Sequence, residues 1–292
     1  MTAGKSAGGP AVVSLDPQQV NREWWESNPM TYDWEKTLQI DPGTLKWYDE
    51  IDRRFLDSAY YAAGRNGQPF GRFLKPDLVS GKQVLEIGCG MGTHAEMLLR
   101  NGARLTAIDQ TTLAVESTRR RLKLKQLDAL VLQQDAEKLT LPDRSFDVVW
   151  TWGVIHHSSS TEQCVSEISR VLRPGGRLVM MVYYRPSLVF YLHCGLIRGV
   201  LLGRLLRQTL HQIYVNATDG FYARVFSKSE LRESLARQFH SLQITVVGLK
   251  AELYPIPRNS LKIALERVTP DWLARAILGK FGSMVVVEAI RS

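Results

Sequence analysis

Only three cysteines occur in the 292 residues, Cys89, Cys164 and Cys194, and they form neither a Cys-x-x-Cys pair nor a metal-ligand spacing with histidine. An odd, scattered set supports neither a disulfide framework nor a zinc site, so no metal is expected and a reducing cytoplasm is the natural setting. Long apolar runs are also missing. The longest, 186–203, is interrupted by His193 and Arg198 and falls short of the ~20 residues that cross a bilayer. Residues 1–15 have no sustained apolar core and read as a disordered tail rather than a secretion signal. There is no internal repeat and no long linker, which argues against two equal domains.

What is present starts with charge. The formal net charge is +8, and basic surfaces concentrate polyanions. Much of that charge is local, in Arg119-Arg120-Arg121-Leu122-Lys123-Leu124-Lys125, which reads as a solvated helix face. No aromatics are interleaved with it, so a stacking groove for single-stranded nucleic acid is not indicated.

The most informative segment is Val84-Leu-Glu-Ile-Gly-Cys-Gly-Met-Gly-Thr93, an apolar strand entering a glycine-rich turn, followed by a second apolar strand that closes on Asp109. Glycines at a strand end let a ligand approach the main chain, and a carboxylate on the neighbouring strand tip can accept both ribose hydroxyls. An adenosine-containing cofactor is therefore expected. A dinucleotide turn usually spaces its glycines Gly-x-Gly-x-x-Gly; here Gly88, Gly90 and Gly92 alternate, and Glu86 precedes them. An acid there is awkward beside a pyrophosphate but suits a ligand bearing an ammonium and a sulfonium.

Further motifs follow in order: Gln134-Asp135-Ala136, Ser145-Phe-Asp-Val-Val-Trp150, Gly153-Val-Ile-His-His157 and Arg170-Val-Leu-Arg-Pro-Gly-Gly176. With the glycine turn and Asp109, these make 81–184 resemble the class I S-adenosylmethionine-dependent methyltransferases, specifically the bacterial small-molecule branch related to the ubiquinone and menaquinone methyltransferases. The resemblance implies an α/β, Rossmann-like, seven-stranded and mostly parallel sheet with helices on both faces. It implies S-adenosyl-L-methionine as cofactor and S-adenosyl-L-homocysteine as product. Glu86, Gly88, Cys89, Gly90 and Gly92 would hold the methionine portion, Asp109 the ribose, Gln110 and Thr111 would flank it, Asp135 and Ala136 would read the adenine, and Trp152 would line the site. His156 and His157, just beyond the fourth strand, are the candidates for a base or for orienting the acceptor.

Alternation of strand and helix predicts strands at 83–87, 104–109, 129–133, 146–151, 177–184, 242–248 and 283–290. A helix over 93–100 should stop at Asn101-Gly102, Ser159-Ser160-Thr161-Glu162 offers a capping box, and another helix is expected over 226–239. Residues 16–75 form an aromatic-rich N-terminal helical cap, including Trp24, Trp25, Tyr32, Trp34 and Trp47, that either packs on the core or closes over the pocket. Trp25, Tyr32 and Tyr183 are candidates for the acceptor wall. The methyltransferase domain would span 76–292 with inserts at 185–222 and 255–282. The first insert mixes apolar residues with arginines and no acid before Asp219, which fits a pocket lid, a peripheral contact of 186–207 with the inner face of a membrane, or simple packing.

These features together imply transfer of a methyl group to a small-molecule acceptor, of quinone-precursor, lipid-linked or secondary-metabolite type, with no nucleic-acid partner expected and the oligomeric state open. A nicotinamide-dependent dehydrogenase and a non-catalytic S-adenosylmethionine-binding scaffold are the alternatives. An amino-methylating nucleic-acid enzyme is disfavoured, because Thr151-Trp152-Gly153-Val154 stands where such enzymes carry a proline-rich element ending in tyrosine.

Overall fold

The computed structural model describes residues 16–32, 39–64, 67–218, 220 and 222–292. The expected tail 1–15 and Trp34 lie outside the described residues. Two helices open the chain. In α1 (Pro17–Ser27) the Asp16 side chain accepts from Gln18 N and Pro17 sets the first turn; in α2 (Leu45–Ser58) Thr44 accepts from Trp47 N. Trp47, Tyr48, Ile51 and Phe55 form the buried stripe of α2.

After a short α3 (Pro76–Val79) the alternating core begins. It runs β1 (Gln83–Ile87), α4 (Thr93–Arg100), β2 (Arg104–Asp109), α5 (Thr112–Leu124), β3 (Leu130–Gln133), β4 (Phe146–Trp152), α6 (Thr161–Val171) and β5 (Leu172–Tyr183). A π-type helix at Leu188–Leu201, a short turn at Arg204–Leu206 and α7 (Leu210–Val215) make up the first insert. Then come α8 (Lys228–Leu235), β6 (Phe239–Val247), a turn at Lys250–Leu253, α9 (Ser260–Val268), α10 (Asp271–Phe281) and β7 (Met284–Arg291).

The seven strands are ordered β3-β2-β1-β4-β5-β7-β6. The first five are parallel, and β7 is antiparallel to both of its neighbours. The pleat divides the core. Val84, Val148, Trp150 and Val179 face a layer that includes Phe55, Phe70 and Phe73, whereas Leu85, Ile87, Val149 and Leu178 face the layer of α6 and α8. The N-terminal segment thus shares one core with the sheet.

Several expectations change in detail. The helix expected over 226–239 is shorter, Lys228–Leu235, and begins with a true capping box between Ser227 and Glu230. No such box forms at 159–162: the Ser159 hydroxyl donates to Glu137 at 2.7 Å, and Ser160 caps α6 by accepting from Gln163 N. Arg121 is not on a solvated face. It is 1% exposed and paired with Asp52 of α2 and Glu96 of α4.

Candidate active site

One cavity of about 1230 Å³ runs along the carboxyl ends of the central strands. That is where an open α/β sheet presents its loops to a ligand. Its floor is the glycine turn. Gly88, Gly90 and Gly92 have φ of 82°, 50° and 80°, which favours glycine at each position. At Gly88 a Cβ would lie 2.2 Å from Val154 Cγ2, so the turn and the loop after β4 are in direct contact.

Asp109, at the tip of β2, holds that turn in place. One oxygen accepts from Gly90 N at 3.1 Å, and the other accepts from Thr111 N and Thr111 Oγ1 at 3.0 and 2.9 Å. Burial pushes its carboxyl above the usual range, against the pull of these donors. Glu86 lies behind the turn, 2% exposed, with one oxygen unpartnered. Burial, reinforced by Asp109, pushes it up to about 8. An orphaned acid under a glycine cradle, beside a second acid, fits a cationic nucleoside better than a pyrophosphate.

Of the expected site residues, Gly88, Cys89, Gly90, Asp109, Gln110, Thr111, Ala136, Trp152 and His157 line the cavity, as do Trp25, Tyr32 and Tyr183. Glu86, Gly92, Asp135 and His156 lie off its wall. Gly92 instead starts α4. Asp135 accepts from Gln18 Nε2 and from Glu137 N, both at 2.9 Å. The expectation that His156 faces the acceptor is corrected: its ring is fully buried against Tyr183, 3.9 Å between centroids, and neither nitrogen has a partner. Burial and the neighbouring His157 push it well below the usual histidine range.

His157 is placed differently. Its Nδ1 lies 2.7 Å from the Tyr222 carbonyl oxygen, which can only accept, so Nδ1 carries the proton and Nε2 keeps its lone pair. Burial pushes His157 down to about 4. Trp25 packs edge-on against the ring at 5.1 Å.

Other wall residues were not singled out from sequence. Gln18 of α1 donates to Asp135 and accepts from Ser159 N at 3.2 Å, while Asn21 donates to the His157 carbonyl at 2.8 Å. Glu26, off the wall, accepts from Thr112 N and Leu113 N at the start of α5. These contacts lay α1 across the β2–β4 edge. His94, in the first turn of α4, faces the cavity among Phe55, Phe70 and Trp152, and burial pushes it down to about 3. A motif search passes over such residues, because an amide or imidazole on a helix has no diagnostic spacing.

Residues 85–180 match the family described as a methyltransferase domain. Among characterised proteins, the 27-O-demethylrifamycin SV methyltransferase of Amycolatopsis mediterranei is 38% identical over 106 residues, 35% of this chain and 39% of that protein. The ubiquinone biosynthesis O-methyltransferase of Coxiella burnetii is 28% identical over 100 residues, 34% of this chain and 43% of that protein. The chain therefore spans about two fifths of the length of these relatives. The geranyl diphosphate C-methyltransferase of Streptomyces coelicolor A3(2), solved with Mg2+, geranyl diphosphate and S-adenosyl-L-homocysteine, superposes with a TM-score of 0.57 at 16% identity. That match covers 96% of this chain and 100% of that one, and it establishes a shared fold. Together with the strand order and the glycine turn, these matches make the chain similar to the class I S-adenosylmethionine-dependent methyltransferases, with a methyltransferase-domain signature in residues 85–180.

Proposed function

We propose that the chain catalyses methyl transfer from S-adenosyl-L-methionine to a small, largely apolar acceptor. The observation that carries this reading is the size and continuity of the cavity. At about 1230 Å³ it exceeds the roughly 300–1,000 Å³ of a single-ligand pocket. It joins the Gly88–Asp109 floor to an aromatic wall of Trp25, Tyr32, Tyr61 and Tyr183. Cofactor and acceptor can therefore sit in one enclosure. By name, one matched relative is a 27-O-demethylrifamycin SV methyltransferase and the other an O-methyltransferase of ubiquinone biosynthesis, and an acceptor of the quinone-precursor, lipid-linked or secondary-metabolite type suits this wall.

The cofactor supplies a methyl group on a positively charged sulfur, which makes the carbon open to in-line attack. The chain's task is placement and exclusion of water. Asp109 would receive the ribose hydroxyls, the glycine turn the methionine portion, and Ala136 with the Asp135 loop the adenine. A hydroxyl acceptor would donate its hydrogen bond to His157 Nε2, which would hold its oxygen toward the methyl donor seated over the Gly88–Asp109 floor; the donor would supply the methyl group and keep the electrons of its bond to sulfur. With His157 held down to about 4, the ring is a neutral acceptor of that hydrogen bond and a poor store for the proton, which passes on to solvent. Asp135 and Glu86 act from behind the wall, through backbone geometry and field.

Calorimetry with S-adenosyl-L-homocysteine and NAD tests the first half of the reading. Binding of the former and not the latter is expected, and the reverse would install the dehydrogenase reading. Labelled cofactor added with a metabolite extract tests the second half: a labelled small molecule is expected, whereas cofactor binding without any labelled product would leave only a scaffold.

A further inference from the structure

The two inserts that bracket β6 share a second property. Each lends side chains to the cavity wall, Val189 and Tyr214 from the first and Ile263 and Arg267 from the second. Each also leaves large apolar side chains uncovered. On the first insert Leu201 and Leu206 are 70% and 89% exposed; on the second, Trp272 is 71% exposed. Along α10, Leu273, Ile277 and Phe281 recur at four-residue steps and are all exposed, with Ala274 and Leu278 taking the buried side. The inserts are neighbours: the π-type helix lies against the 250–253 turn that also supports α9 and α10, and its His193 is within electrostatic reach of Lys262 on α9.

A folded surface seldom leaves so many large apolar groups uncovered without a partner. The charge pattern identifies the partner. No acid occurs from 186 to 218. Arg185 is taken by Glu230, but Arg198, Arg204 and Arg207 have no carboxylate partner among the described residues. Leucines beside unpaired arginines on the first insert, with an exposed tryptophan on the neighbouring one, make up the composition of an interfacial membrane surface. No helix among the described residues is long and apolar enough to cross a membrane, which leaves a contact in the plane of the headgroups.

We propose that this side of the molecule, formed jointly by Leu188–Leu206 and α9–α10, docks on an anionic phospholipid bilayer. Leu201, Leu206 and Trp272 would enter the acyl boundary, while Arg204 and Arg207 meet lipid phosphates. Because the same two inserts wall the cavity, docking sets that wall beside a reservoir of apolar acceptors. This consequence rests on the methyl-transfer reading; the docking itself does not.

Co-sedimentation of the full chain with phosphatidylcholine vesicles, with and without phosphatidylglycerol, tests the surface. Binding is expected only when phosphatidylglycerol is present. Arg204→Glu with Arg207→Glu should weaken it by about tenfold or more, since each interfacial cation contributes on the order of 1 kcal/mol. Leu201→Glu with Leu206→Glu, and separately Trp272→Glu, should abolish it. None of these residues lines the cavity, so S-adenosyl-L-homocysteine binding by each variant should match the parent and verify folding independently of the vesicles. Three results would overturn the proposal: no sedimentation of the parent with phosphatidylglycerol vesicles, equal sedimentation with phosphatidylcholine alone, or a parent dimer in analytical ultracentrifugation that these same substitutions split.

Discussion

The Tyr222 carbonyl fixes the tautomer of His157: at 2.7 Å from Nδ1 it accepts the hydrogen bond of the ring's one N–H and leaves Nε2 as a bare acceptor. With Trp25 against the ring and Asn21 bonded to the His157 carbonyl, the imidazole has little freedom to turn. A ring so held would orient a hydroxyl placed at Nε2, and would do so without being charged.

Replacing His157 should therefore separate binding from turnover. His157→Ala is expected to keep affinity for S-adenosyl-L-homocysteine and to lower kcat by roughly 10–100-fold, the loss of one positioning contact and less than the full effect of a general acid or base. Unchanged kcat would remove the residue from the reaction. The same ring carries a stability signature. It is held down to about 4 in the fold, against 6.5 when free. As pH falls below about 6.5 the unfolded chain takes up the proton first, so stability declines until about pH 4, by roughly 3 kcal/mol. In urea titrations across that window, His157→Gln should flatten part of the decline.

Glu86 gives the opposite sign. Its folded carboxyl holds a proton up to about 8, against 4.5 when free. Its contribution to stability is complete below about pH 4.5 and is lost as pH rises through about 8. A cation arriving above the turn should expel that proton. Near neutral pH, calorimetry in buffers of differing ionisation enthalpy should show release of close to ~1 proton per S-adenosylmethionine bound. Glu86→Gln should remove that release; if release persists in this variant, Glu86 does not sense the ligand.

Arg121 ties the N-terminal segment to the glycine-turn helix. Its guanidinium meets Asp52 and Glu96 and donates to the Met91 carbonyl at 3.3 Å. Arg121→Met would leave Asp52 without its cation and Glu96, still bonded to Arg100 at 2.8 Å, without its buried one. A loss of about 3–5 kcal/mol is expected, as for a broken buried pair, read as a lowered midpoint in urea. The triple variant with Asp52→Asn and Glu96→Gln should recover much of it, since the uncompensated charges are then gone.

The strands were legible because parallel, doubly covered strands read as apolar runs closed by Gly or Asp; β1 and β2 lie where the runs at 83–87 and 104–109 put them. Asp109 was legible for the same reason, being the residue on which a strand ends. Arg121 was not. A basic run looks the same whether its third arginine meets water or meets carboxylates 25 and 69 residues away. The start of α6 moved by one residue because Ser159 was taken by Glu137, a partner 22 residues back. Gln18 and His94 belong to the site only through tertiary placement, and His156 drops from the wall although the doubled histidine reads equally well at either position.

Gln18 touches Asp135, Gln110 and the Ser159 backbone at once, at the rim where the adenosine would rest. A nucleoside resting at that rim would therefore lie against the first helix, and would meet it through the same side chain that holds the helix to the loops after β2, β3 and β4. Trp25, carried on the same helix and on the cavity wall, is then a built-in fluorophore whose emission should change when the nucleoside binds.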